Sequence, residues 1–314
     1  MPNIKSIILL SRPINLVIIA VTMGITRWVV LSNLVVKSNV QSLPLSTLHF
    51  LLLIAAAMLI AAAGNIINDY FDQRADKINK PLKVRIGRTV NRKVAILIHQ
   101  GLNATGLALV FWVGWKNSYL FLLTLPLLIA LLLWAYSPLF KKKPLVGNLL
   151  VAFCTAAVPV FAVAADVHLL QHSQLISSGT AYGEISRTVW PVILAVSAFA
   201  FVLSMIREAV KDVEDEPGDR SELYQTIPIL WGMKRTKRYV IGWIIVFLIM
   251  AALLTQNYTS LKDTVLILSL LVLPALLALY FVVQAKVTAD FSKVSLLIKL
   301  IMLCGLILMV LLPV

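Results

Sequence analysis

Ten of the 14 acidic residues in this 314-residue chain lie in two short segments. The first reads Asn65-Ile-Ile-Asn68-Asp69-Tyr-Phe-Asp72-Gln-Arg74-Ala-Asp76-Lys77-Ile-Asn79-Lys80-Pro81. The second reads Arg207-Glu208-Ala-Val-Lys211-Asp212-Val-Glu214-Asp215-Glu216-Pro217-Gly218-Asp219-Arg220, with Glu222 just beyond. Asn68, Asp72 and Asp76 recur at i, i+4, i+8, which lines them along one face of a continuing helix, flanked by Asn65 and Asp69. Pro81 ends that helical stretch. In the second segment Asp212 and Glu216 are i, i+4, as are Asp215 and Asp219. Pro217-Gly218 is expected to break the helix there, which leaves open which of these carboxylates converge.

Carboxylates stacked on one helical face repel by ~0.2–0.5 kcal/mol per i, i+4 pair. A positive partner must offset that repulsion. Hard oxygen ligands suit Mg²⁺, which usually binds through one or two carboxylates plus substrate phosphates. Asn68, Asp69, Asp72, Asp76, Asp212, Asp215, Glu216 and Asp219 are therefore the candidate metal ligands. Asn68, Asp72, Asp76, Asp212 and Asp215 form the expected catalytic set. The interleaved Arg74, Lys77, Lys80, Arg207 and Lys211 read as diphosphate contacts. Asn65, Lys141 and Lys142 join them as substrate-binding candidates, although Lys141-Lys142-Lys143 would look the same as a charge cluster that merely ends a span.

Composition fixes what must position these residues. Sixty per cent of the chain is apolar, 13% is charged, and the mean hydropathy is +0.91. Average globular chains are about 45–50% apolar and ~25% charged. Too little polar surface remains to coat a soluble fold, and a disordered chain or a secreted disulfide scaffold is excluded with it. The fold expected is an all-α polytopic membrane protein. Nine apolar runs are long enough to span a bilayer at roughly 20 residues each: 14–33, 49–67, 94–115, 118–136, 145–165, 188–207, 239–256, 264–284 and 295–313. They are expected to form one membrane domain, residues 1–314, as a bundle around a central cavity.

The net charge of +14 does not point to nucleic acid, because the basic residues sit in short loops between apolar runs. Twenty-two of the 28 Lys and Arg fall on one side of the nine spans and five on the other. The N-terminus and both acidic segments are thus expected on the cytoplasmic side. Arg27 is counted on the outer side. Asp166, Glu184, Asp263 and Asp290 read as scattered loop residues, and His168 and His172 as part of an outer loop. His99, Gln100, Asn103 and Thr105 in the third span are expected to face the bundle interior as helix–helix hydrogen-bonding groups. Cys154 and Cys304 read as small core residues without metal-ligand spacing. No obligate protein partner is evident.

Two solvated, salt-bridged loops are the plain alternative for the acidic segments. Each segment closes a membrane span, and the two are four spans apart, which disfavours that reading. Asn68-Asp69-Tyr70-Phe71-Asp72-Gln73-Arg74-Ala75-Asp76 resembles the first aspartate-rich motif of the UbiA superfamily of membrane prenyltransferases, and the second segment resembles that superfamily's second motif. The span count fits as well, so the resemblance covers essentially the whole chain. Residues 76–81, 207–215 and the stretch Tyr136-Ser137-Pro138-Leu139-Phe140-Lys141-Lys142-Lys143-Pro144-Leu145-Val146-Gly147-Asn148 are similar to the branch of geranylgeranylglycerol-phosphate geranylgeranyltransferases. That branch commonly follows Asn-Lys-Pro with a proline-rich stretch. This chain has Leu82-Lys83-Val84-Arg85-Ile86-Gly87, which keeps the charge and drops the prolines.

The resemblance implies Mg²⁺-dependent transfer of an isoprenyl group from a prenyl diphosphate to a lipid-soluble acceptor inside the membrane. Ionisation would give an allylic cation, and the apolar bundle would hold the tail and exclude water. Lys80, Lys83, Arg85, Lys141, Lys142 and Lys143 would dock the phosphate of a geranylgeranylglyceryl phosphate acceptor. The same core with an aromatic acceptor is the alternative. A cation-coupled transporter is the competing class. It is disfavoured because transporters place carboxylates near the bilayer midplane on broken helices, whereas these cluster at one end of the spans.

Overall fold

The computed structural model describes residues 4–37, 42–82, 84–172 and 179–313, and of residues 179–185 the backbone alone. The helices in chain order are α1 (Ile4–Leu10), α2 (Pro13–Lys37), α3 (Thr47–Phe71), α4 (Gln73–Asn79), α5 (Arg92–Lys116), α6 (Leu120–Phe140), α7 (Val146–His172), α8 (Gly179–Ser221), α9 (Ile227–Thr255), α10 (Leu261–Gln284) and α11 (Thr288–Leu311). Among the described residues nine of them are long and apolar enough to cross a membrane; α1 and α4 are not. A bilayer core offers no water to unpaired backbone groups, so a spanning segment must satisfy its own, as these helices do. The β structure among the described residues is a single bridge between Ile86 and Val90.

All nine expected spans are present, most run a few residues past the bounds that hydropathy suggested, and the sixth and seventh reach furthest. The sixth runs on to Ser221, and the seventh begins at Ile227 with a kink at Gly232, where φ is 70 and the backbone leaves the helical region. The first extension is rich in charge and the second carries Lys234, Arg235, Lys237 and Arg238, so a window set to the hydrocarbon core stops short of both. Glycines set the closest approaches between spans. A Cβ on Gly64 of α3 would lie 2.8 Å from Leu133 of α6, and one on Gly106 of α5 would lie 2.9 Å from Ile60 of α3. One apolar cluster joins α8, α9, α10 and α11 around Ile206, Phe247 and Phe291, and another joins α2, α3, α5 and α7 around Met23, Phe50 and Phe161.

Several loop assignments are corrected. Asp166 is a fully buried residue of α7, not a loop residue, and Arg27 lies inside α2, equally buried. Arg27 Nε and Nη2 donate to the two Asp166 carboxylate oxygens at 2.6 and 3.1 Å, and the Leu45 amide adds a third bond at 3.0 Å. Arg27 also donates to the Leu45 carbonyl and stacks over Phe50. Two opposite charges that are costly alone in lipid pin α2, α3 and α7 together. Asp263 lies in the first turn of α10 rather than in a loop, whereas Asp290 opens α11 by capping the amides of Lys286 and Val287. The Glu184 side chain and Lys83 fall outside the described residues. His168 and His172 belong to the last turns of α7 rather than to a loop, with His168 stacked on Tyr119 and His172 tilted against His168. In α5, His99 faces inward as expected and bonds the Ala63 carbonyl at 2.9 Å, but Gln100 and Thr105 are exposed.

Candidate active site

The first motif spans a joint. α3 stops at Phe71, Asp72 takes φ −83 and ψ 2, and α4 begins at Gln73. The i, i+4 spacing still holds across it, because the Asp72 amide bonds the Asn68 carbonyl at 3.0 Å and the Asp76 amide bonds the Asp72 carbonyl at 2.8 Å. Asn68 is the hub. Ser137 Oγ, presented by a π-helical turn at the end of α6, donates to Asn68 Oδ1 at 3.1 Å. Asn68 Nδ2 in turn donates to Asp72 Oδ2 at 2.8 Å. Lys141 Nζ donates to the same oxygen at 2.5 Å. Asp72 Oδ1 is buried with no hydrogen-bond partner.

The second motif corrects the expected helix break. α8 runs through Pro217 and Gly218 to Ser221. At ~100° per residue, Glu208, Asp212, Asp215 and Asp219 then share one stripe within roughly 60° of arc. Asp212 Oδ2 accepts from Asn148 Nδ2 of α7 at 3.0 Å. Asp215 pairs with Lys80 at 2.6 Å. Asp219 is 2% exposed, and its Oδ1 has no hydrogen-bond partner. Glu208 takes Arg207 at 2.9 Å and Lys211 at 3.7 Å. Glu216 lies to the side of the stripe and pairs with the exposed Arg220 at 2.7 Å.

Contacts across α4 and the 141–143 loop bring the two motifs to one end of the bundle. Lys80 crosses from the first motif to the second. Both Lys141 and Lys142 lie 5.7 Å from the ring of Tyr224, and the Gln225 amide bonds the Lys142 carbonyl at 3.2 Å. Burial opposes the charge on Lys141, yet its pKa is raised, because Asp72 and Asp219 both favour the ammonium. Lys141 therefore lies within the field of both motifs. Asp76 is pushed up to about 6, first by burial and then by Asp72 and Asp69. Asp69 is paired with Arg12 at 2.6 Å, and Asn65 donates to the Ser11 carbonyl at 2.9 Å, so both are engaged with the chain's N-terminal segment. Arg74 and Lys77 are exposed and stand outside this network.

A family model described as the UbiA prenyltransferase family matches residues 28–307. The chain belongs to the UbiA prenyltransferase family. It is 31% identical over 231 residues to a digeranylgeranylglyceryl phosphate synthase of Thermococcus kodakarensis, which covers 74% of this chain and 70% of that relative. Its fold matches a solved structure of digeranylgeranylglyceryl phosphate synthase in membranes at TM-score 0.62 and 22% identity, over 98% of this chain and 99% of the other. It also matches a UbiA homolog from Archaeoglobus fulgidus bound to GPP and Mg²⁺, at TM-score 0.57 and 15% identity, over 97% and 99% of the two chains. As a UbiA-family protein it is an integral, multi-pass membrane enzyme, a prenyltransferase acting on a prenyl diphosphate, and the transporter reading falls.

Several residues of this candidate site were not singled out from sequence. Asn148 carried a usable signal, a carboxamide at the start of an apolar span, where polar groups turn inward. Glu208 stood in the acidic segment but was not separated from its neighbours, because the α8 stripe needs the unbroken helix. Ser137, Asn79 and Tyr224 carried no periodic signal. Their places depend on the π-helical turn, the α4 joint and the 222–226 loop.

Proposed function

We propose that this prenyltransferase joins a prenyl group to the free hydroxyl of a prenylglyceryl phosphate, with Mg²⁺ held between the two motifs. The observation that carries the reading is a pair of buried, unpartnered carboxylate oxygens, Asp72 Oδ1 and Asp219 Oδ1, one on each motif, with the Lys141 ammonium in the field of both. An orphaned buried carboxylate oxygen is costly unless a cation meets it. Among the described residues no three His, Cys, Asp or Glu side chains close into a cage alone. Mg²⁺ would need only one or two of these carboxylates at a time together with substrate phosphates. Asn68, Asp72 and Asp76 on the first motif and Asp212, Asp215 and Asp219 on the second would hold Mg²⁺ ions through one or two carboxylates each, with the substrate diphosphate between them; Glu216 is turned aside. When bound, the metal supplies charge stabilisation to the departing diphosphate.

The chain's own residues do the rest. Asn68 and Lys141 fix Asp72 through Oδ2 and leave Oδ1 presented. Asn148 fixes Asp212. Lys80, Lys141, Lys142, Arg207 and Lys211 surround the diphosphate with positive charge. The allylic C–O bond breaks with its electron pair leaving on diphosphate. The acceptor hydroxyl oxygen then forms the new ether bond and releases its proton. Apolar helices exclude water that would otherwise quench the cation. The similarity to digeranylgeranylglyceryl phosphate synthases supports a phosphorylated glycerol acceptor. So does the number of basic residues in the segments that follow the first motif and join α6 to α7, Arg85 and Lys143 among them. The motif end of the bundle is proposed to face the cytoplasm, on the 22-to-5 division of basic residues.

The test offers purified enzyme one prenyl diphosphate with prenylglyceryl phosphate, 4-hydroxybenzoate or dihydroxynaphthoate. Turnover of the glyceryl phosphate is expected. Exclusive turnover of an aromatic acid would refute the acceptor and leave the prenyltransferase intact.

A further inference from the structure

The seven-residue α4 carries Asp76, and it is too short to hold its own shape. It is also jointed to α3 at Asp72. Its orientation must therefore come from what it rests on, which is α8. Asn79, its last residue, makes that contact with both ends of its carboxamide. Asn79 Nδ2 donates to the Asp215 carbonyl at 2.8 Å, and the Gly218 amide donates to Asn79 Oδ1 at 2.8 Å. These two backbone groups flank Pro217, the residue that has no N–H of its own to give the helix. Gly218 makes the approach possible. A Cβ there would lie 2.4 Å from Asn79 Nδ2 and 2.5 Å from the Ala75 carbonyl oxygen. The next residue, Lys80, adds its ion pair with Asp215 at 2.6 Å.

We infer that Asn79 is a positioning residue: its carboxamide registers the first motif against the second, and so sets how tightly the two together hold a divalent cation and a diphosphate. Asn79 does not itself face the metal. It acts through the spacing of Asp76 relative to Asp215 and Asp219. The inference rests on the metal-assisted reading above.

The experiment uses full-length protein in nanodiscs, with Mn²⁺ as the metal and inorganic pyrophosphate as the anion. Mn²⁺ binding is read by electron paramagnetic resonance. Asn79→Ala is expected to weaken Mn²⁺ roughly 10–100-fold, the usual effect of removing an outer partner of a metal site, with a thermal midpoint close to that of the wild type. Spin labels at Ile78→Cys and Ser221→Cys, with Cys154 and Cys304 replaced by Ala, should give a narrow distance distribution that Asn79→Ala broadens. Gly218→Ala pushes on the same contact from the α8 side and should reproduce both effects. Normal Mn²⁺ affinity in folded Asn79→Ala, or an unchanged distance distribution, overturns the inference alone. If Asn79→Ala does not fold, normal Mn²⁺ affinity in Gly218→Ala overturns it. Failure of the wild type to bind Mn²⁺ with pyrophosphate overturns the metal-assisted reading and the inference with it.

Discussion

Lys141→Met separates two roles of this lysine, the ion pair that the structure shows and the diphosphate contact proposed above. Its Nζ lies 2.5 Å from Asp72 Oδ2, and the side chains are 11% and 4% exposed, so the pair is shielded from solvent. Removing the ammonium leaves Asp72 with Asn68 as its one donor. Breaking a buried pair from one side costs about 3–5 kcal/mol of folding stability. In catalysis the same ammonium is proposed to meet the diphosphate. A hydrogen bond to a charged group is worth about 1.5–3 kcal/mol, which is roughly 10- to 150-fold in kcat/KM. Asp72→Asn should abolish turnover while keeping the shape of the side chain. The double variant Lys141→Met/Asp72→Asn removes both charges, so it should regain much of the stability that Lys141→Met lost, yet remain as inactive as Asp72→Asn. Unfolding is followed in detergent against denaturant, and activity with a radiolabelled prenyl diphosphate. A double variant no more stable than Lys141→Met would refute the buried-pair account. Wild-type kcat/KM in Lys141→Met would refute the diphosphate contact.

The raised pKa of Asp76, about 6, means that its carboxyl must lose a proton before it can bind a cation. The Mg²⁺ concentration for half-maximal activity should therefore rise as pH falls below about 6, and Asp76→Asn should weaken that dependence; a flat profile in the wild type would refute the assignment. For folding the sign is opposite. A carboxyl whose pKa is raised in the folded state contributes stability at low pH, and that contribution is lost as pH rises toward 6. Cysteines placed at Gln73 or Ser221 should react with an impermeant thiol reagent only after the cytoplasmic side is opened, and labelling in intact cells would invert the proposed topology. Arg27→Met should cost about 3–5 kcal/mol by stranding Asp166, and Arg27→Met/Asp166→Leu should recover part of it, as measured by denaturation; equal stability of the two would show the pair is not the pin described.

What could be read from the sequence, and what could not, divides along the range of the interactions involved. Spans follow from composition over ~20 residues, a local quantity, and all nine are found where hydropathy placed them. The i, i+4 relation of Asn68, Asp72 and Asp76 is local too, and it survives the joint at Asp72 because the backbone bonds bridge it. The second motif was legible in composition but not in geometry. Pro217-Gly218 reads locally as a break, since proline removes a donor and glycine weakens the helix. The break does not occur, and a residue 138 positions earlier bears on why: Asn79 supplies both a donor and an acceptor beside Pro217. Asp166 was misplaced for a related reason. A lone aspartate near the end of an apolar run reads as a boundary, and only the fold reveals that Arg27, an entire span-set away in sequence, neutralises it. In both cases local propensity gave the wrong element, and a tertiary hydrogen-bonding partner overrode it. The residues whose places depend on such partners, Asn79, Ser137, Asn148 and Lys141, are also the ones that aim the carboxylates. Sequence pattern thus identifies the groups that carry the charge, while the long-range contacts that convert two acidic segments into one site must be read from the packed helices.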